Sequence, residues 1–411
     1  MSGPGGIVIV GAGQGGFQVA ASLREGGYEG SILLLGDEPA PPYQRPPLSK
    51  AYLTGKTDAA GLQLRPESFY ADHRIAVRTG APVVAIDRGA RQVRLADGEA
   101  IGYDHLVLAT GSRNRPLPVP GTDLAGVRQL RTLAEADAIR ARLSEIRRVA
   151  VVGAGFIGLE FAAVAAARSI AVTVLEATDR PMARALSRPM SAFFRAAHEA
   201  AGITFAFGAG VVRIHGEDGR ATGVETADGA IVPADLVLVG IGVVPNAELA
   251  AAAGLAVENG VVVDAQLLTA DPAISAIGDC AAYPSPFADG APTRIEAVQN
   301  AVDHARCVAA RLNGRPAAYG AVPWFWSDQG PLKLQIAGLA VPHDETVTRG
   351  DPGSGAFSVF CYRGGHLTGV ESVNKPADHM VARRLLAGRI PLAPREAADP
   401  AFDLKARLSA A

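Results

Sequence analysis

The sequence predicts an α/β protein that contains two copies of one parallel, helix-covered module and a smaller α+β domain. Three observations predict this class. The segment VIVGAGQGG at residues 8–16 returns as AVVGAGFIG at residues 150–158. In each copy a short apolar run ends at glycines and is followed by residues at helical spacing. From PWFWSDQG onward the pattern changes to short segments that are typical of an antiparallel sheet.

Each copy of the module predicts a buried parallel strand, a helix and a second buried strand, in that order. These segments are GIVIVGAG, GFQVAASLRE and SILLLGDE in the first copy, and RRVAVVGAG, FIGLEFAAVAAARS and AVTVLEATD in the second. Both copies also end alike, on YDHLVLATG and PADLVLVGIG, in which an aspartate is followed by an apolar strand and a turn of small residues. The two modules are therefore predicted to be homologous and Rossmann-like.

The order of these segments predicts that the second module is inserted into the first. We assign residues 117–247 to the second module, and residues 1–116 with 248–325 to the first. The segment at residues 261–280 is predicted to complete the first module with a strand that ends at Gly278-Asp279.

Residues 326–411 are predicted to form the third domain, in which several strands precede a helix. The strands are KLQIAGLA, ETVTRG, AFSVFCYR and HLTGVESV, and the helix is ADHMVARRLLAG.

Composition excludes several functional classes. With 39 basic and 41 acidic residues, the chain lacks the basic excess of a general nucleic-acid-binding protein. Its three cysteines form no C-x-x-C pair, and its eight histidines show no ligand spacing, so neither a disulfide scaffold nor a metal site is expected. Because no apolar run reaches ~18 residues and the N-terminus has no basic region, we expect a cytoplasmic protein without membrane attachment.

The glycines of both turns meet the requirements of dinucleotide binding. The first glycine of G-x-G-x-x-G permits the turn, the second lets a pyrophosphate approach the backbone, and the third lets helix and strand pack closely. An acidic residue about 20 positions later accepts hydrogen bonds from a ribose. The matching residues are Gly11, Gly13 and Gly16 with Asp37 or Glu38, and Gly153, Gly155 and Gly158 with Glu176. The alternative, glycines that serve packing alone, is less consistent with two copies in matching contexts.

Two dinucleotides in one enzyme usually mean a tightly held flavin and an exchangeable nicotinamide. The Glu176 carboxylate would repel a 2′-phosphate, so NADH is favoured over NADPH. Arg180 and Arg184 follow closely in the sequence and either soften this preference or contact only the pyrophosphate.

Six segments together resemble the FAD-dependent ferredoxin reductases of the putidaredoxin reductase type, a group that also includes rubredoxin reductases. The segments are YQRPPLSK, LVLATGSRNRPLPVPG, VVGAGFIGLE, ISAIGDC, RIEAVQNA and PWFWSDQ. The resemblance covers nearly the whole chain. It implies a glutathione-reductase-like fold with an FAD domain, an inserted NADH domain and a C-terminal domain, which match the three regions assigned above.

The resemblance also implies roles for individual residues around the two nucleotides. For FAD these are Gly11, Gly13, Gly15 and Gly16 at the pyrophosphate, Asp37 at the ribose, Arg45 and Arg131 at the phosphates, Val83 at the adenine through its backbone, Ala109 as a further cofactor contact, Asp279 at the ribityl group, Val298 at the start of the helix that points at the flavin, and Trp326 near its dimethylbenzene edge. For NADH they are Gly153, Gly155, Ile157, Gly158, Glu160, Glu176 and Arg184, with Gly242 and Glu296 as weaker candidates. A plain core aromatic remains the alternative for Trp326 and Trp324.

Lys50 and Glu160 are the residues that the resemblance places at the reaction itself. Lys50 resembles a lysine beside the flavin ring, where a cation stabilises electron density that arrives on the flavin. Glu160 resembles a residue that orients the nicotinamide carboxamide and pairs with Lys50. The alternatives are a solvated lysine and a solvated helix glutamate.

The cysteines separate this group from its relatives. A disulfide reductase needs a redox dithiol and the related NADH oxidases need a cysteine in the region YQRPPLSK, whereas Cys280, Cys307 and Cys361 fit neither pattern. We therefore expect electrons to pass from NADH through FAD directly to a [2Fe-2S] ferredoxin that supplies a monooxygenase or dioxygenase, in a monomer or weak homodimer.

Two alternatives stay open from the sequence. One is a rubredoxin reductase or NADH:acceptor diaphorase, and the other is a redox-sensing flavoprotein of the apoptosis-inducing-factor kind. For the ferredoxin, a basic docking face is expected, with Arg65, Arg294 and Arg306 as candidates.

Overall fold

The computed structural model describes residues 6–409. Its strands, in chain order, are β1 (Gly6–Val10), β2 (Ile32–Leu35), β3 (Ile75–Arg78), β4 (Val83–Asp87), β5 (Gln92–Leu95), β6 (Ala100–Leu108), β7 (Ser112–Asn114), β8 (Val127–Arg128), β9 (Arg148–Val152), β10 (Ala171–Glu176), β11 (Ile203–Phe207), β12 (Val211–Glu217), β13 (Arg220–Thr226), β14 (Ile231–Pro233), β15 (Leu236–Val239), β16 (Val243–Pro245), β17 (Val261–Val262), β18 (Ile274–Ala276), β19 (Ala281–Pro284), β20 (Pro292–Thr293), β21 (Trp324–Gln329), β22 (Leu332–Gly338), β23 (Glu345–Asp351), β24 (Ala356–Arg363) and β25 (His366–Val373).

The helices are α1 (Gln14–Glu25), α2 (Ala59–Leu62), α3 (Glu67–Asp72), α4 (Leu133–Arg140), α5 (Phe156–Ala166), α6 (Arg188–Ala200), α7 (Glu248–Ala252), α8 (Val298–Leu312), α9 (Pro376–Gly388), α10 (Pro394–Ala398) and α11 (Leu404–Ser409). Short 3-10 helices lie at Pro46–Ser49, Gly278–Cys280 and Pro352–Ser354. Among these described helices, none combines the length and the apolar character needed to cross a bilayer.

The chain divides into two compact units. The first contains the chain up to Gln44, Ala60–Arg113 and Val244–Pro323, and the second contains Arg45–Ala59, Asn114–Val243 and the chain from Trp324 onward. The short segment Arg45–Ala59 thus groups with the second unit, although the sequence assigned it to the first module. The division into three domains stays a prediction.

The first unit is built on one mixed sheet in the order β3-β2-β1-β6-β5-β4, with β18 paired to β6. Strands β1, β2, β3, β6 and β18 run parallel, and β5 pairs antiparallel with its neighbours β4 and β6. Every residue of β1 is buried, as expected for a central strand of a sheet that is covered on both faces.

The strand predicted to end at Gly278-Asp279 is shorter than expected. Strand β18 ends at Ala276, and Gly278–Cys280 form a 3-10 turn instead. Gly278 has a φ of +67°, which a strand does not allow.

The second unit contains a parallel sheet in the order β11-β10-β9-β15-β8, a three-stranded antiparallel sheet β12-β13-β14 and a five-stranded antiparallel sheet β21-β22-β25-β24-β23. The last sheet and helix α9 are the elements predicted for the C-terminal region. Its strand β22 pairs with both β21 and β25, so the segment that begins at Trp324 forms an edge of this sheet.

A buried glutamate of the C-terminal sheet caps a helix in the second unit. Glu371 on β25 is fully buried, and its carboxylate accepts hydrogen bonds from the backbone N–H (2.7 Å) and hydroxyl (2.5 Å) of Ser187, the N-cap of α6. Burial is the largest cause that raises the pKa of Glu371, to about 7, and the Ser187 donors oppose it. The ionised form is therefore disfavoured by folding.

We predict that Glu371 makes the folded chain less stable as pH rises. Because its folded pKa lies above its usual value of 4.5, its contribution is fully present below about pH 4.5 and is lost as pH rises through about 7. The Glu371→Gln variant should lack this loss, which amounts to ~3 kcal/mol between pH 4.5 and pH 8. Thermal or urea unfolding at both pH values measures it. The exposed Glu345→Gln on the same sheet is the matched control, and equal pH dependence in Glu371→Gln and wild type would contradict the prediction.

Candidate nucleotide-binding and electron-transfer site

The first glycine turn joins β1 to α1 and leaves one position open. Gly11 has a φ of +112°, and a Cβ there would lie 2.1 Å from the carbonyl oxygen of Ala109. A Cβ at Gly16 would lie 1.9 Å from the Gly11 carbonyl oxygen. A Cβ at Gly13 would have no protein atom within 4 Å. Packing therefore requires glycine at the first and third positions, whereas the second borders open space at a helix N-terminus, as a pyrophosphate needs.

The second glycine turn, between β9 and α5, repeats this division. Gly153 has a φ of +101°, and its Cβ would lie 2.5 Å from the Gly240 carbonyl oxygen, while a Cβ at Gly158 would lie 2.5 Å from that of Gly153. At Gly155 the nearest atom would be 3.7 Å away. Both turns thus have a cradle that a dinucleotide fits.

The predicted ribose-binding acids follow the second strand of each module. The Glu176 carboxylate at the end of β10 accepts hydrogen bonds from the backbone N–H of Ala154 (2.7 Å) and from the N–H and hydroxyl of Thr178 (2.8 Å each). These bonds fix the carboxylate beside the glycine turn. In the first unit Asp37 is exposed, whereas Glu38 accepts a hydrogen bond from the Tyr43 hydroxyl at 2.6 Å, so Asp37 is the more accessible acid.

Several of the residues expected at FAD lie in the first unit. Asp279 accepts a hydrogen bond from the Ser112 hydroxyl at 2.8 Å. The backbone N–H of Gly278 donates to His304 Nδ1 on α8 at 3.1 Å, which ties the 3-10 turn to that helix. Val298 is the first residue of α8, whose Ala297 N-cap offers no side-chain hydrogen bond to the first turn. The turn and the helix start thus present Asp279 and backbone N–H groups.

The other candidates in the first unit differ in burial and in contacts. Val83 begins β4 and is half-buried, and Gly15 faces Ile277 and Ala301, which is a packing position. Glu296 pairs with Arg294 Nη2 at 2.8 Å.

Arg294 was expected on an exposed docking face, and this expectation is wrong. Its side chain is only 8% exposed, because it pairs with Glu296 and donates to the Asp279 carbonyl oxygen. Arg65 is exposed, and the side chain of Arg306 is 61% exposed, so both can still meet a partner.

Two arginines expected at the FAD phosphates lie together in the second unit. Arg45 Nη1 donates to the Arg131 carbonyl oxygen at 2.9 Å. Arg131 directly precedes Thr132, which caps α4 together with Glu135 in a reciprocal pair of hydrogen bonds. The Arg45 guanidinium therefore lies near the start of α4, where its charge adds to the helix N-terminus in attracting an anion.

Lys50 and Glu160 form an ion pair in the second unit, in which the glutamate is buried and the lysine is 20% exposed. Lys50 follows the 3-10 helix Pro46–Ser49, and Glu160 lies on the second turn of α5 with a side chain 3% exposed. Lys50 Nζ is 2.6 Å from Glu160 Oε2. The alternatives of a solvated lysine and a solvated helix glutamate are therefore wrong for these two residues, while their catalytic roles stay predictions.

Two serines that the sequence did not single out complete the surroundings of Glu160. Ser49 Oγ donates to Oε2 at 2.5 Å, and Ser327 Oγ on β21 donates to Oε1 at 2.7 Å. Ser49 lies in the segment YQRPPLSK and Ser327 lies in the segment PWFWSDQ, so both belong to segments that carry the family resemblance. Because serine is common in every context, only their placement against Glu160 distinguishes them.

The residues after β10 separate into structural and accessible groups. Arg180 Nη1 and Nη2 donate to the carbonyl oxygens of Leu186 and Ala183, and the side chain is largely buried. Arg180 is therefore held by the protein itself, and its contact with a nucleotide stays a prediction. Arg184 is exposed and lies against Gly242, where an added Cβ would be 2.9 Å from its Nη2. It remains the candidate cation of this region.

Two hydrophobic candidates of the second unit also differ in exposure. Ile157, on the first turn of α5, is 43% exposed, which is unusual for isoleucine and suits contact with a ligand. Trp324 and Trp326 have ring centroids 5.6 Å apart on β21, and Trp324 also packs on His379 and Arg383. Trp324 is thus a packing residue. For Trp326 both predictions stay open, an aromatic near the flavin and a plain core aromatic.

The cysteines are separate thiols in the structure. Cys280 and Cys361 are buried, and Cys307 is half-buried. Burial raises the pKa of all three thiols, which keeps them protonated. Over residues 6–409, no cluster of histidine, cysteine and carboxylate side chains is suited to a metal ion.

We predict that the open second glycines can be substituted without loss of folding. Gly13→Ala should fold with unchanged unfolding temperature but bind FAD at least ~10-fold more weakly, because its methyl group occupies the space of the pyrophosphate. Gly155→Ala should keep FAD and raise the KM for NADH by a similar factor. Flavin absorbance after gel filtration and steady-state kinetics measure these effects. Gly16→Ala, which collides with backbone, should fail to fold, and an unchanged flavin content in Gly13→Ala would contradict the prediction.

Comparison with known proteins gives agreement over nearly the whole chain. Residues 5–305 match the family model described as pyridine nucleotide-disulphide oxidoreductase, and residues 324–408 match the model described as reductase C-terminal. Rhodocoxin reductase of Rhodococcus erythropolis is 57% identical over 399 residues, which cover 97% of this chain and 93% of that protein.

Two solved structures are also close. The ferredoxin reductase for the CYP199A2 system from Rhodopseudomonas palustris has a TM-score of 0.96 and 51% identity, covering 98% of this chain and 99% of the other. The covalent complex of putidaredoxin reductase with putidaredoxin has a TM-score of 0.96 and 41% identity, covering 100% and 99%. The resemblance found in the sequence is confirmed. The chain belongs to the pyridine nucleotide-disulphide oxidoreductase family, and within it to the FAD- and NAD(P)H-dependent ferredoxin reductases of the putidaredoxin reductase type.

Proposed function

We propose that this enzyme transfers electrons from NADH through FAD to a [2Fe-2S] ferredoxin that supplies an oxygenase. The observation that carries the proposal is the ion pair between half-buried Lys50 and buried Glu160, on the helix that follows the second glycine turn. Because the three cysteines are free thiols, we assign the charged role at the flavin and the nicotinamide to this pair and not to a dithiol. The names of the similar reductases support the ferredoxin as acceptor.

Each part of the proposed site has a separate task. The cradles at Gly13 and Gly155 hold the two pyrophosphates on helix N-termini. Glu176 accepts hydrogen bonds from the nicotinamide nucleotide's ribose and disfavours a 2′-phosphate. Glu160 orients the carboxamide, and Lys50 provides a positive charge toward the flavin.

When bound, FAD supplies the chemistry that the side chains lack, because it takes two electrons as hydride and passes them on singly. The protein contributes position and charge, and no side chain has to act as nucleophile or general base. Helix α8 begins at Val298, and the backbone N–H groups of its first turn favour negative charge on a ligand.

The acceptor is the part of the proposal that the relatives inform most. The covalent putidaredoxin reductase–putidaredoxin complex joins a similar reductase to its electron acceptor, and the Rhodopseudomonas palustris reductase serves the CYP199A2 system. We extend this to a [2Fe-2S] ferredoxin for the present chain, acting in the cytoplasm as a monomer or weak homodimer. Acceptance of electrons by rubredoxin, or only by small dyes, would instead identify a rubredoxin reductase or a diaphorase.

We predict that Glu176 sets the choice between NADH and NADPH. Glu176→Ala removes the charge that repels a 2′-phosphate and the acceptor of the Ala154 N–H, so the ratio of kcat/KM for NADH to that for NADPH should fall ~10-fold. Steady-state kinetics with both nucleotides measure this ratio. The matched control is Glu199→Ala, a surface glutamate of α6 whose side chain is 43% exposed. Full NADH preference in Glu176→Ala would refute the assignment.

We predict that reduction of the partner depends on salt, whereas reduction of the flavin by NADH does not. Docking of an acidic ferredoxin against exposed arginines such as Arg65 and Arg306 should slow several-fold between low and ~0.5 M salt, because screening shortens the range of the attraction. Turnover assays with purified ferredoxin and rubredoxin over a salt series measure it. Turnover that does not change with salt would contradict the prediction of a basic docking face. Very slow turnover with every acceptor would favour a redox sensor.

A further inference from the structure

The Glu160 carboxylate is held by hydrogen-bond donors on both of its oxygens. Oε2 accepts from Lys50 Nζ and Ser49 Oγ, and Oε1 accepts from Ser327 Oγ. Ser49 and Lys50 come from one end of a 3-10 helix, whereas Ser327 comes from β21 of the C-terminal sheet. The carboxylate that is proposed to orient the nicotinamide is therefore fixed from two separate parts of the second unit.

The hydrogen bond from Ser327 is the last step of a buried chain. Gln329 Nε2 lies 3.2 Å from Ser327 Oγ, and Gln329 Oε1 lies 2.7 Å from His198 Nε2. Burial is the main cause that lowers the pKa of His198, so the imidazole is neutral and its Nε2–H donates to the amide oxygen. The amide nitrogen then donates to Ser327, which leaves the serine hydroxyl to donate to Glu160.

All donors in this chain consequently point toward the carboxylate. Ser327 is fully buried, Gln329 is 2% exposed, and His198 and Glu160 are each 3% exposed. In such surroundings hydrogen bonds are stronger than in water, and successive bonds polarise one another. The chain ends on an anion, which is the acceptor that gains most from this polarity.

Strand β21 is built so that one of its faces meets helix α5. Phe325, Ser327 and Gln329 share that face because side chains alternate along a strand. The ring centroids of Phe325 and Phe156 are 4.5 Å apart, and Glu160 lies one helical turn after Phe156. The strand and the helix therefore contact each other at two neighbouring points, the Phe325–Phe156 ring pair and the Ser327–Glu160 hydrogen bond.

We propose that Ser327 is a positioning residue for Glu160 in the reduction of flavin by NADH, with Gln329 and His198 as the donors behind it. This inference rests on the proposed function, in which Glu160 orients the nicotinamide carboxamide. Without the Ser327 hydroxyl, Oε1 has no donor from β21, and the carboxylate is held only through Oε2, about which it can pivot. The nicotinamide would then be held less often in the reactive orientation.

The test is anaerobic stopped-flow reduction of the FAD-loaded enzyme by NADH. Ser327→Ala should lower the limiting rate ~10-fold, the factor expected for one hydrogen bond to a charged group, and change the half-saturating NADH concentration less than ~2-fold. Ser327→Thr, which keeps the hydroxyl, should restore most of the rate. Ser358→Ala is the matched control, because Ser358 is also fully buried in the C-terminal sheet but bonds Ser372 and Asp378. If Ser327→Ala does not fold, Ser327→Cys replaces it.

A double-mutant cycle separates positioning from general packing. In a Glu160→Gln background, Ser327→Ala should change the limiting rate by less than ~2-fold, because the group on which it acts is already altered. The same ~10-fold loss in both backgrounds, or a normal rate in Ser327→Ala, would overturn the proposal. A normal rate in Glu160→Gln would instead remove the proposed role of Glu160 itself, so the two failures are distinguishable.

Discussion

The fold depends on two βα turns in which the first and third glycines leave no room for a side chain. In each turn the first glycine has a positive φ and its missing Cβ makes room for a carbonyl oxygen of the neighbouring loop, at Ala109 or at Gly240. The third glycine brings the helix down onto the strand in both copies. The second glycine alone is free of such contacts. Two of the three positions are thus imposed by packing, and the open position between them is what a nucleotide uses.

Much of this organisation could be predicted from the sequence because its causes are local. The apolar runs, the glycine spacing and the acid at Glu176 are properties of neighbouring residues, so the sequence alone predicts the repeated module and the C-terminal sheet. The lengths of the strands were less predictable. Strand β18 ends at Ala276 because Gly278 turns the backbone, and an apolar run alone does not reveal where that turn begins.

The site was predictable only in part, because charge does not reveal whether a side chain is exposed. Arg180 and Arg184 look alike in the sequence, yet one is held by backbone carbonyl groups and the other lies against Gly242. Arg294 is similarly committed to Glu296. Ser327 was missed for the opposite reason, since a common residue becomes informative only when a strand more than 160 positions away sets it against Glu160. Lys50 and Glu160 were identified through resemblance, because their pairing also spans a long sequence separation.

The burial of the three sulfhydryl groups affects how readily they are oxidised. A protein that works with reduced flavin near dioxygen is exposed to peroxide, which attacks cysteine in its deprotonated form. Here desolvation suppresses that form at Cys280, Cys307 and Cys361, and Cys280 also lies within reach of the carbonyl oxygens of Leu108 and Ile277. Peroxide therefore meets these three sulfhydryl groups in their protonated form, which is the less reactive one.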